Sequence, residues 1–168
     1  LPDEKELEET IATTSDKLKE EMKEAMDELD KVNQQLEELR MNMFDKQDLS
    51  WLDKKQVGEL LEKQQDLQNK INQLNEMNQE MSEIEEFLEK SSDPELTEKL
   101  AELEELFEQL TDEEMLERME ELKKELEQLD KDELTNMMEE MQRRNEELKS
   151  NLEQNLELYK QLEFEKKL

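Results

Sequence analysis

At 168 residues the chain has the length of one ordinary domain, but 45% charged and 32% hydrophobic residues with a single Gly are the composition of coiled coil or long helix. A heptad seam needs about 29% apolar residues and a globular bundle helix about three in seven, so the expected molecule is elongated, with a narrow apolar stripe instead of one large core. A net charge of −29 disfavours nucleic acid and anionic lipid as partners, and the lack of Cys and His excludes disulfides, thiolate or imidazole zinc sites and Glu-x-x-His di-metal bundles.

The first run opens with Pro2 in a first-turn position and with Asp3 and Glu4, acids suited to a helix N-terminus. The chain starts at Leu1 without Met or a leader peptide, so the expectation is a piece of something larger. The apolar stripe is Leu7, Ile11, Leu18, Met22, Ala25, Leu29, Val32, Leu36, Leu39 and Met43, with Thr14 filling the one missing step. From Leu18 the spacing alternates four and three, a heptad seam that ends near Phe44.

A bend is expected near 45–50. Ser50 can cap the next helix, and Asp53 three residues on supplies the acidic half of a capping box. The second run carries Val57, Leu60, Gln64, Leu67, Ile71, Leu74, Asn78, Met81, Ile84 and Leu88. Folded back on the first, Leu39 faces Val57, Leu29 faces Leu67 and Leu18 faces Asn78, each pair of numbers summing to 96. Half of that is 48, inside the bend. Polar Gln64 and Asn78 either fix the register, as polar seam residues do, or sit at a wet part of a narrow seam.

After Ser91 a 19-residue repeat begins. Ser92-x-x-Glu95, Thr111-x-x-Glu114 and Asp130-x-x-Glu133 are capping boxes or near relatives, each followed by an apolar 4,3,4,3 series. Helices should start near Pro94, Asp112 and Lys131. They form either a three-helix zigzag or one kinked arm, residues 93–129, against 131–168. The last helix runs through Leu156, Tyr159 and Leu162 to Lys166 and Lys167. The expected fold is therefore all-α: a long antiparallel coiled-coil hairpin over 1–91, followed by shorter antiparallel helices over 92–168.

Chemistry is sparse. A phosphate loop needs clustered Gly, and Gly58 stands alone inside a helix. Carboxylates are everywhere, so their spacing says nothing about acid–base work. Residues 92–130 hold 16 acids against 4 bases, which allows diffuse binding of divalent cations. No residue is singled out as catalytic, cofactor-binding or metal-ligating, and no apolar run approaches the roughly 18 residues of a membrane span. Met clusters at 41 and 43, 77 and 81, and 137, 138 and 141 are seam or adaptable binding surface. At the bend, Phe44, Leu49, Trp51 and Leu52 are the candidate partner contacts, with Trp51 partly covered at the hairpin end. The expected function is a non-enzymatic spacer or docking arm that binds protein, with homo-oligomers possible. The alternatives are a chaperone-like module and an acidic cation-binding segment.

The turn Leu129-Asp130-Lys131-Asp132-Glu133 resembles the inter-helix turn of the small plasmid copy-number four-helix-bundle proteins and carries no function with it. The run from Asp48 to Ile71, DLSWLDKKQVGELLEKQQDLQNKI, resembles the coiled-coil region of a family of large, uncharacterised bacterial membrane-anchored proteins. That resemblance implies the soluble part of an anchored protein and supplies no catalytic residues.

Overall fold

The computed structural model describes residues 3–89 and 94–167, with side chains at 87–89, 95–97 and 163–167 left aside. The expected cap Ser92, the side chains of Leu88 and Leu96, and those of Lys166 and Lys167 lie outside the described residues. The elements are α1 (Glu4–Phe44), α2 (Trp51–Glu89), α3 (Pro94–Leu110), α4 (Glu113–Glu125), a 3-10 turn at Leu126–Gln128, and α5 (Lys131–Lys167). The fold is all-α, an antiparallel hairpin followed by further antiparallel helices.

Local chemistry sets the helix starts, because the first backbone N–H groups of a helix need outside acceptors. Asp3 Oδ1 accepts from Glu6 N at 2.8 Å, and Asp130 Oδ1 accepts from Glu133 N at 2.8 Å. At α4 the cap is Asp112, whose Oδ1 accepts from Met115 N at 3.0 Å. The expected Thr111 instead donates its hydroxyl to Glu108 O, closing the end of α3. An ionised carboxylate complements the helix dipole better than a hydroxyl, so the cap falls one residue later than the repeat implied.

The α1 seam is also adjusted by one position. Ser15 is buried, whereas Thr14 and Leu7 are only half-buried. Running the 4,3 alternation backwards from Leu18 reaches Ser15 and then Ile11, so heptad phase selects Ser15 despite its polarity.

The chain divides into two compact units. One comprises Met26–Lys70 and Asp112–Lys149. Here α1 and α2 are linked by Lys63–Gln35 at 3.3 Å and Lys70–Glu28 at 3.2 Å, both summing to 98 and so antiparallel close to the expected register. Between α1 and α5 the contacts Arg40–Glu139, Gln142–Glu37 and Lys149–Asp30 all sum to 179. Gln65–Glu120 at 2.9 Å joins α2 to α4, and Arg118–Glu140 at 3.0 Å joins α4 to α5. Each helical segment thus runs antiparallel to both neighbours, an up-down-up-down four-helix bundle.

That arrangement decides the role of Gln64. It is 2% exposed and exchanges two hydrogen bonds with Asn145 of α5, at 2.5 and 2.8 Å. Asn145 Nδ2 also donates to Asn33 Oδ1 at 2.8 Å, and Gln142 bonds the Asn33 backbone. The expectation of a wet, narrow two-helix seam is therefore corrected: a further layer of helix buries these amides, and they pin three helices together. A second surprise is Gly58. A Cβ built there would meet Leu126 Cδ2 at 3.0 Å, so the glycine lets the turn after α4 approach α2 closely.

The other unit comprises Leu1–Ala25, Ile71–Thr111 and Ser150–Leu168. Its core includes Leu18, Met22, Ile71, Leu74, Leu103, Phe107, Leu152 and Tyr159. Phe107 and Tyr159 meet edge to face, with ring centroids 6.3 Å apart. Together with the Asn151–Gln109 hydrogen bond, this makes α3 antiparallel to α5. A zigzag would have made them parallel. With 37 residues, α5 is long enough to offer its own stretch of apolar stripe to α3. The Tyr159 hydroxyl donates to Asn78 Oδ1, so Asn78 too is an interior residue. Burial pushes the Tyr159 phenol far above its ordinary range.

Candidate functional site

The bend between α1 and α2 is built from a complete capping box. Asp53 N donates to Ser50 Oγ at 3.1 Å, and Ser50 N donates back to Asp53 Oδ2 at 3.0 Å. Lys46 Nζ reaches both carboxylate oxygens of Asp53, at 2.8 and 3.0 Å. Asp53 is 5% exposed, and the Lys46 ammonium followed by the Ser50 backbone N–H holds its carboxyl below the usual range.

The far side of the bend is tied to the start of α5. The last turn of α1 holds no basic residue. Lys131 supplies one from α5, donating to Phe44 O at 2.7 Å and to Lys46 O at 2.5 Å. Lys54 does the same for the turn after α4, donating to Glu127 O at 2.6 Å. Both turns at this end of the bundle therefore have their terminal carbonyls satisfied by a lysine from a neighbouring helix.

A polar scaffold at this end holds an apolar surface. Phe44 is 80% exposed, Trp51 70% and Leu52 56%, while Leu49 is half-buried. The cover of Trp51 is slight, and Lys55 Nζ lies 5.3 Å from its ring centroid. The cluster of Met41 and Met43, expected to be seam or adaptable binding surface, divides: Met43 is buried and Met41 is 68% exposed. The signal was present: Met43 lies in the heptad seam and Met41 does not. Met41 and Phe44 are three apart on one face of α1. They line a groove against the first turns of α5 with Arg40, Asp45, Lys131 and Asp132.

The bend itself lacks the acid excess of the rest of the chain: residues 40–55 carry four bases and three acids, while the adjoining residues 126–133 carry four acids and Lys131. Among the described residues no helix is long and apolar enough to cross a membrane. Compared with protein-family models, with curated proteins and with solved structures, the chain matches none.

Proposed function

We propose that this chain is a non-enzymatic helical spacer that docks a protein partner through the end of its hairpin. One observation supports the reading most. Among the described residues, the large hydrophobic side chains left exposed are Met41, Phe44, Trp51 and Leu52, all between positions 41 and 52. Helix stability does not ask for them there. In a chain with 45% charged residues, an exposed apolar cluster of this kind marks an interaction surface. The chaperone-like alternative draws less support, because its Met-rich face at Met137, Met138 and Met141 is buried.

Two measurements test the proposal. Trp51→Ser and Phe44→Ser should each shift the melting temperature by less than about 2 °C, the range of an exposed substitution. A photo-crosslinker at position 52 should give a discrete adduct competed by the wild-type chain and not by the two variants. Identical adducts from a crosslinker at exposed Glu125 would overturn the docking role.

A further inference from the structure

We propose that the groove beside the bend receives a short segment of a basic protein partner, with an apolar side chain laid on Met41 and Phe44 and flanking Lys or Arg residues facing Asp45 and Asp132. This rests on the docking function proposed above and specifies the chemistry of the partner.

The cations and the anions of the groove differ in availability. Arg40 is engaged by Gln142 Oε1 at 2.7 Å, by Glu37 at 3.3 Å and by Glu139 at 3.8 Å. Lys131 is engaged by the Phe44 and Lys46 carbonyls. Asp45 and Asp132 are both exposed, and among the described residues neither side chain has a hydrogen-bond or ion-pair partner. The groove therefore presents an apolar floor with two free carboxylates and no free cation. A basic segment fits that rim. With Glu139 the groove lining holds three acids against Arg40 and Lys131, so an acidic segment would meet a net excess of negative charge.

Charge at the scale of the chain selects the same occupant. A second copy would bring −29 against −29, and an anionic lipid surface would be repelled in the same way. A basic partner is drawn in over the Debye length and then held by apolar contact. The floor itself is a pair of flexible or flat side chains, Met41 and Phe44, that accommodate an aliphatic or aromatic anchor.

The test uses the full chain and two short synthetic peptides with the same Leu and Phe residues, one with Lys and one with Glu at the polar positions. Binding is read by fluorescence anisotropy at about 0.15 M NaCl. The Lys peptide should bind at least about ten-fold more tightly than the Glu peptide. Phe44→Ser and Met41→Ser should each weaken it by about ten-fold, the loss expected of an anchor contact. Asp45→Asn combined with Asp132→Asn should reduce both the affinity and its salt dependence. Phe44 and Met41 are exposed, so their variants keep the fold, which circular dichroism verifies.

Several results would overturn the proposal. If Phe44→Ser leaves binding of the Lys peptide unchanged, the attraction is diffuse and the groove is not the site. If both peptides bind alike and both are lost in Phe44→Ser, docking at this end stands but the basic partner does not. Self-association by sedimentation that Phe44→Ser abolishes would give the groove to a second copy. Co-pelleting with phosphatidylserine vesicles would give it to a membrane.

Discussion

Asp53 joins three contacts: its carboxylate accepts from the Ser50 backbone N–H and from the Lys46 ammonium, and its own backbone N–H donates to Ser50 Oγ. Asp53→Asn should cost about 1 kcal/mol at neutral pH, the scale of a lost helix cap. The pH dependence has a definite sign. The folded carboxyl titrates below its ordinary value, so its stabilisation is complete above the unfolded value of about 4 and is lost as pH falls through the folded one. The melting gap between wild type and Asp53→Asn should stay constant from pH 7 to about 5 and close below about 4. A gap that persists to lower pH would show that Asp53 acts through shape and not charge. The capping box was legible at residue scale, because it needs only Ser and an acid three apart. The Lys46 and Lys131 contacts were not. Lys46 depends on the path of the bend, and Lys131 comes from more than eighty positions away.

Among the elements, α2 separates what periodicity reveals from what it hides. Its heptad seam from Val57 to Met81 follows from spacing alone. A second row, Leu61, Gln68, Asn75 and Ser82, is buried at the same seven-residue period and is mostly polar, so no hydrophobic pattern betrayed it. Buried side-chain amides differ in how far they are satisfied. In the unit holding Met26–Lys70 the Gln64 amide is satisfied, whereas in the other the Asn155 Oδ1 atom is buried without a hydrogen-bond partner. Removing one member of a satisfied pair orphans the other, while removing an unsatisfied atom relieves a penalty. Gln64→Leu should therefore destabilise by about 1–3 kcal/mol. Asn155→Leu removes that orphaned oxygen but also the Nδ2 bonds to half-buried Asn151 at 3.0 and 2.7 Å, so the two effects offset and the change should stay within about 1 kcal/mol of neutral. Chemical denaturation checks both. Equal losses would mean that volume and not hydrogen bonding governs these core positions.

At the scale of the whole molecule, 52 acids oppose 23 bases. The ion pairs between helices, such as Lys149–Asp30 and Lys70–Glu28, are largely exposed and worth little each. Repulsion among the excess carboxylates should outweigh them. Raising NaCl from about 0.01 to 0.15 M shortens the Debye length from about 30 to 8 Å and should raise the melting temperature. A flat or falling curve would mean that the specific pairs dominate.

The all-α class, the ends of α1 and α2, the starts at Pro94, Asp112 and Lys131 and the hairpin register all lie in the sequence itself. Each depends on interactions only a few residues long: caps, dipole-matched charges and the heptad period. What covers the hairpin was decided by tertiary structure. A stripe matched to a two-helix seam does not say how many helices share it, and 32% hydrophobic residues suggested two. Buried amides and Ser15 widen the interface without adding apolar residues, so each unit holds a core that composition understated. The exposed end was decided in the same way. Phe44 and Trp51 sit beside the bend whatever the fold, but whether they are covered depends on where Lys131 and the turn after α4 come to rest. Lys131 anchors on backbone carbonyls of the bend, Glu127 O of the turn after α4 accepts from Lys54, and the rings stay in solvent.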